Sequence, residues 1–195
     1  EKSKFYQNFY RNLNKCPQDI KTQAYTSMVR PTLEYAQMVW DPFKTTEIHS
    51  LEKIQRQAAR FVTGDYSKFS SVTEMLNILH WPSLQQRRCV ARLTMLHKAI
   101  NNNVALTMPP YFEHTNTITR SSHPLTFQLR GQPLTYTPYL YSFYPRTVRF
   151  WNVLPYGLIN QGSESFQKGL WQPIASGDIV VMLPKDTQVV PSLGT

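Results

Sequence analysis

Proline placement divides this sequence into two regions with different folding options. Seven of the 14 prolines fall between residues 107 and 155. Proline lacks a backbone N–H and clashes with the preceding helical turn, so this stretch disfavours long helices. The sequence predicts a mainly α fold. We expect a helical region over 1–103, a Pro- and aromatic-rich extension with short extended segments over 104–170, and a divergent, disordered tail over 171–195.

Capping patterns place two helices in the first region. The sequences "SVTE" at 71–74 and "SLQQ" at 83–86 both carry a hydroxyl three residues before Glu or Gln, which is the capping-box spacing. They predict helices over about 71–79 and 83–101. Pro31 is expected to kink or restart an earlier helix.

The stretch "EIHSLEKIQRQAARFVTG" predicts an amphipathic helix over 46–63, capped by Thr46 and ended by Gly64. At 100° per residue, one arc of this helix is apolar. That arc carries Ile48, Leu51, Ile54, Ala58, Phe61 and Val62. The opposite arc carries His49, Lys53, Arg56 and Arg60.

The charge balance favours a polyanionic partner. The net charge is +9 and the isoelectric point about 9.6, and nucleic acid is the commonest polyanion that such proteins meet. The outer arc of the 46–63 helix has only Glu52 nearby as an acid, and arginine suits bidentate phosphate contacts. A merely solvated basic face is the competing interpretation. The candidate nucleic-acid-binding residues are Lys53, Arg56, Arg60, Arg88 and Arg92.

The sequence carries no recognisable catalytic or cofactor motif. The 12 acidic residues are scattered singly, and no Gly-rich phosphate loop or GxSxG motif is present. Cys16, Cys89 and the five histidines lack zinc-ligand spacing. Cys89 lies at a core-facing helical position, and His97 lies at the edge of the same apolar face. We therefore expect no cofactor and no enzymatic activity.

The stretch "YSFYPRTVRFWNVLP" at 141–155 allows three interpretations. It can close the core, stack nucleic-acid bases, or form a catalytic loop, and the last is least supported because the stretch contains no acid or base. Arg146 and Arg149 can stack on aromatics, bind phosphate or bridge a buried carboxylate. The residues predicted for the core are Phe143, Val148, Phe150, Trp151 and Leu154, with Trp81, Trp40 and Tyr35 as neighbours.

Several motifs in fixed order resemble one protein family. "MVRPTLEYAQMVWDPF" at 28–43 is followed by "LEKIQRQAARFVTGDYSKF", then "YSFYPRTVRFWNVLP" and "SESFQKGL". Over about residues 4–170 this series resembles the region after the catalytic palm in reverse transcriptases of Jockey-like, non-long-terminal-repeat (LINE) retrotransposons. The resemblance fades after Leu170.

The resemblance implies the thumb and C-terminal extension of an RNA-directed DNA polymerase from a transposable element. Its palm, with the Asp-Asp catalytic motif, is not in this sequence. The implied role is to grip the backbone of an RNA–DNA or DNA primer–template without reading its sequence, alongside the palm and fingers of the parent polymerase. The alternative is a structural or protein-interaction remnant with no nucleic-acid role.

Compartment and completeness are further expectations. Two cysteines indicate no disulfide framework, so a reducing compartment, the nucleus or cytoplasm, is expected. No apolar run reaches the roughly 18 residues of a membrane span, so no membrane partner is expected. The start "EKSKFYQNFYRNL" lacks Met, and we expect a piece of a longer protein.

Overall fold

The computed structural model describes residues 11–115, 124–130 and 137–176. The described chain is mainly helical with one small two-stranded sheet, which confirms the predicted fold class. The helices are α1 Gln18–Ala24, α2 Arg30–Glu34, α3 Gln37–Trp40, α4 Thr45–Thr63, α5 Val72–Ile78, α6 Leu84–Ile100, α7 Thr137–Leu140, α8 Phe143–Trp151, α9 Tyr156–Ile159, α10 Ser163–Gly169 and α11 Trp171–Ser176. The strands are β1 Phe112–His114 and β2 Phe127–Leu129, paired antiparallel with Glu113 opposite Gln128.

The first helical segment changes form around its proline. A π-helical turn, Tyr25–Val29, joins α1 to α2, and Pro31 lies in the first turn of α2. A missing N–H is tolerated there because first-turn N–H groups have no intrahelical partner. The chain breaks instead at Ala36, whose φ of 49° is left-handed, and α3 follows.

The predicted caps are largely confirmed. Ser83 and Gln86 form a complete capping box on α6, and Ser71 accepts the Glu74 N–H at the start of α5. Gly64 ends α4 with a φ of 72°, a conformation that glycine adopts without steric cost. The prediction for Thr46 is wrong: α4 begins at Thr45 and has no side-chain cap.

Two apolar cores stabilise the described chain. The first lies among the π turn, α2, α4, α5 and the start of α6, and the inner arc of α4 supplies much of it, as predicted. Its buried members are Tyr25, Val29, Leu33, Ala58, Ala59, Phe61, Val62, Met75, Trp81 and Leu84. Trp81 is buried, but it lies in this first core, stacked on Tyr25, and not among the 143–154 residues predicted as its neighbours. Tyr35 and Trp40 are 80% and 39% exposed and belong to neither core, so the prediction is wrong for all three.

The second core forms around Trp151 on α8. Trp151 is fully buried, donates its indole N–H to the Leu125 carbonyl at 2.8 Å, and lies against Phe127 and Phe166. The next residue, Asn152, pairs its side-chain amide with both backbone groups of Phe127, which fixes β2 onto α8. The aromatic stretch thus closes a core, the first of its three interpretations.

Helix α6 belongs to both cores. Its first residue, Leu84, lies in the first core, whereas Cys89, Leu93 and Leu96 lie in the second. The expected boundary near residue 103 therefore follows a helix that both regions share. The folded part also passes the predicted boundary at 171, because α11 buries Ile174 in the second core. The remainder of the predicted tail, 177–195, lies outside the described residues.

Differential thiol reactivity tests whether this fold forms in the isolated chain. Cys89 is buried, and burial raises the pKa of its thiol to about 12, whereas Cys16 is only half-buried. Because the thiolate is the reactive species, we expect one fast-reacting thiol in native protein and two after denaturation. A thiol-reactive chromophore gives the count. Cys16→Ser should leave no fast thiol, and two fast thiols in native wild type would contradict the fold.

Candidate nucleic-acid interface

The basic side chains of α4 form one row on its outer face. At 100° per residue, the four positions fall within an arc of about 60°. The row consists of His49, Lys53, Arg56 and Arg60. His49, Lys53 and Arg56 are exposed, and Arg60 is half-buried. The predicted outer arc is therefore confirmed as a surface, since the opposite arc lies in the first core.

Glu52, an acid beside this row on α4, is engaged elsewhere. Glu52 accepts hydrogen bonds from the Leu84 and Gln85 N–H groups, at 3.3 and 2.8 Å, at the start of α6. A carboxylate is favourable there because the helix N-terminus carries unsatisfied N–H groups and partial positive charge. Within the described residues, Lys53 and Arg56 have no ion pair. Their charge is directed to solvent.

Arg60 has a structural task as well. Its guanidinium donates to the carbonyls of Ser67 at 2.9 Å and Asp65 at 3.3 Å. These bonds hold the loop that follows α4 against the last turn of the helix. Arg60 is thus shared between the row and the loop, whereas Lys53 and Arg56 are free to contact a ligand.

Arg88 and Arg92 do not belong to this surface, which corrects the sequence prediction. Their side chains are only 2% and 3% exposed, and both pair with the buried carboxylate of Asp41. Four residues apart on α6, they do share one side of the helix, as predicted. That side of α6 faces α8 and the segment that follows α3. It does not face solvent, because both arginines pair there with the Asp41 carboxylate.

Three arginines converge on Asp41. Arg88 Nε lies 2.8 Å from Oδ1, while Arg92 Nη1 contacts Oδ2. Arg146, from α8, lies 3.1 Å from Oδ2 and also donates to the Pro42 carbonyl. Of the three roles open to Arg146, the structure selects the bridge to a buried carboxylate. Arg149, in contrast, is exposed.

Burial and mutual repulsion disfavour the charged form of the arginines in this cluster. Burial, together with repulsion from Arg146, lowers the pKa of Arg92 to about 9. Burial and repulsion from Arg88 lower the pKa of Arg146 to about 10. Contact with the Asp41 carboxylate opposes both shifts, because it favours the charged guanidinium. Asp41 is therefore the group that makes three buried cations tolerable.

The surroundings of His97 indicate a structural role. His97 is buried, with Nε2 3.1 Å from the Ile159 carbonyl and its ring stacked on Phe166. Across 11–115, 124–130 and 137–176, no group of three or more His, Cys, Asp or Glu could hold a metal ion. Over the same residues, no helix is long and apolar enough to cross a membrane.

Comparison of the chain with protein-family models, with curated proteins and with solved structures finds no match. The functional argument therefore starts from the side chains themselves.

Removing the Asp41 charge should destabilise the protein strongly. In Asp41→Asn the three arginines lose their shared anion, and breaking a buried ion pair typically costs about 3–5 kcal/mol. Urea denaturation measures the change in the free energy of unfolding.

Glu34→Gln is the matched control, since Glu34 pairs with Arg87 in a partly exposed site. We expect a loss of about 1 kcal/mol or less there. Equal losses in the two variants would contradict the central role of Asp41.

Proposed function

We propose that this chain is a non-catalytic nucleic-acid-binding fragment that grips the backbone of an RNA–DNA or DNA duplex with the outer face of α4. The observation that carries the proposal is the pair of exposed, unpaired cations Lys53 and Arg56 on one face of a 19-residue helix. The neighbouring Glu52 is withdrawn to cap α6. A net charge of +9 supports the same partner class.

The spacing of the row suits backbone contact. Three helical residues span about 4.5 Å along the axis, and phosphates of one strand repeat about every 3.4 Å along a duplex. Lys53 and Arg56 can thus each meet a different phosphate. Contacts to phosphates fix orientation and carry no sequence information directly, so binding should be sequence-independent.

The family resemblance supplies the biological setting of the proposal. A thumb-like fragment of a retrotransposon reverse transcriptase would hold the primer–template while an absent palm performs DNA synthesis. The palm and fingers of such a polymerase are accordingly the proposed protein partners. The proposed phosphate contacts are made by Lys53 and Arg56, with Arg60 contributing, while the buried Arg88 and Arg92 stabilise the fold.

Salt-dependent binding tests the grip. We expect the affinity for a labelled RNA–DNA hybrid, measured by fluorescence anisotropy, to fall with salt at a log–log slope of about −2 to −3, since each neutralised phosphate contributes about −0.9. Lys53→Glu with Arg56→Glu should weaken binding at least tenfold and flatten that slope by about 2 units.

The control must carry the same change in net charge. Arg149 and Lys168 are exposed on α8 and α10, so Arg149→Glu with Lys168→Glu matches it on other elements. That variant should lose only the long-range attraction that any positive surface has for a polyanion, so its affinity should fall less than that of the Lys53/Arg56 variant. Equal weakening in both doubles would mean that net charge, not the α4 face, governs binding.

Exposed apolar side chains favour a second candidate function, protein interaction. Val39 and Tyr35 are 88% and 80% exposed, and Met28 is more than half exposed. All three lie between residues 28 and 39, around the break at Ala36. Binding a protein partner would remove this apolar surface from water, which is favourable.

Light scattering tests this candidate. If the surface self-associates or binds protein, the chain should form oligomers whose size rises with concentration and ignores salt. Tyr35→Ser with Val39→Ser should abolish them, because apolar burial drives the contact. Monomers at every concentration, in the absence of nucleic acid, would count against the self-association form of this candidate.

A further inference from the structure

The loop after α4 presents two aromatic rings to solvent. We call residues 64–70 the aromatic loop. Phe69 is fully exposed, at 100%, and Tyr66 is 65% exposed. A single exposed aromatic is ordinary, but two within four residues, beside a basic helix face, combine features that one ligand class requires.

The aromatic loop is held in shape by its own polar groups. Asp65 Oδ1 accepts the Ser67 N–H at 2.9 Å, and Ser67 Oγ accepts the Phe69 N–H at 3.2 Å. A hydrogen bond from the Ser70 side chain, then that from Ser67, lowers the pKa of Asp65, so its carboxylate stays ionised. Arg60 fixes the loop to α4. The rings therefore sit on a defined backbone, which reduces the entropy lost when a ligand binds.

An open depression of about 310 Å3 lies between the aromatic loop and α5. Its lining includes the apolar residues Phe69, Met75 and Ile78 and the acids Asp65 and Glu74. Carboxylates repel phosphate and accept hydrogen bonds from N–H groups. The depression thus suits the flat face and N–H-bearing edge of a nucleobase better than it suits a phosphate.

Cations lead from the helix to this loop. The row of Lys53, Arg56 and Arg60 ends where Arg60 contacts the aromatic loop, and Lys68 within the loop is exposed. A ligand that follows this path meets positive charge first and aromatic faces next. Single-stranded nucleic acid matches this arrangement, because its phosphates suit the cations and its unpaired bases suit the rings. A base must lie outside a duplex to stack on an aromatic side chain.

We propose that the aromatic loop stacks unpaired bases of a single-stranded segment that continues from the duplex held by α4. Tyr66 and Phe69 supply the stacking faces, and Lys68 contacts the accompanying phosphate. The inference rests on the proposed function, since α4 is taken to hold the duplex. Base identity is not read, because every base has a π-face.

Three probes of matched sequence test the proposal: a blunt RNA–DNA hybrid, the same hybrid with a four-nucleotide overhang, and that overhang with abasic sites. The abasic overhang keeps the phosphates and removes the bases. Wild type should bind the base-bearing overhang at least fivefold more tightly than the abasic one. Stacking contributes about 1–3 kcal/mol per base, which corresponds to about 5- to 150-fold.

Ring removal supplies the second comparison. Tyr66→Leu with Phe69→Leu keeps apolar bulk on an exposed loop, and should abolish the preference for base-bearing over abasic overhangs. Affinity for the blunt hybrid should change less than twofold. Tyr156→Leu, which removes a half-exposed ring from α9, should retain the preference. Unchanged urea denaturation verifies that each variant folds.

The outcomes separate the two proposals. Equal wild-type affinity for base-bearing and abasic overhangs, with Lys53→Glu/Arg56→Glu still weakening all three probes, overturns the stacking site and leaves the α4 grip standing. A preference that survives the ring substitutions also overturns it. Failure of every probe to bind folded wild type overturns both. An overhang preference that depends on Tyr66 and Phe69 supports the stacking site. If the Lys53→Glu/Arg56→Glu variant also binds the blunt hybrid as wild type does, the α4 grip is overturned while the stacking of bases by the loop stands.

Discussion

The buried carboxylate of Asp41 is the interaction on which the rest of this structure depends. Asp41 belongs to the segment after α3 and lies against the middle of α6 and the start of α8. It contacts Arg88 and Arg92 of α6 and Arg146 of α8. Without it, three guanidinium groups would share a poorly solvated space and repel one another. With it, the N-terminal helices and the C-terminal extension are joined by charge as well as by apolar contact.

This arrangement explains why distant motifs of the sequence occur together. Asp41 lies in "MVRPTLEYAQMVWDPF" and Arg146 in "YSFYPRTVRFWNVLP", and the two meet over a separation of about 100 residues. Glu34, in the first motif, pairs with Arg87 of α6. Two of the motifs on which the family resemblance depends therefore supply charged residues that tie distant segments of the chain together. These residues stabilise the fold, while the proposed function depends on other side chains.

Periodicity and capping predicted the helices well because they are local signals. The inner arc of α4, the capping box at Ser83 and the stop at Gly64 all follow from residues within a turn or two of one another. The sequence predicts a surface position for Arg88 and Arg92 because arginine usually lies there. Their burial depends on a single acid more than 45 residues away, and no local pattern predicts which side of α6 that acid will meet. Tyr35 fails for the opposite reason, since it ends α2 next to the left-handed break at Ala36 and is exposed. Trp40 donates its indole N–H to the Tyr35 carbonyl and does not reach the second core. The aromatic loop lacks periodicity, and its exposure became visible only from the fold.

Burial of Arg88, Arg92 and Arg146 also narrows the functional proposal. Three of the 21 Lys and Arg side chains are used inside the protein, so the net charge overstates the surface charge available to a polyanion. Lysine footprinting in the presence of an RNA–DNA hybrid with an overhang tests the narrowed claim most directly. The account predicts that acylation of Lys53 and Lys68 slows on addition of the hybrid while Lys168, on α10, reacts as before. Uniform slowing of all three, or protection of Lys168 alone, would contradict it.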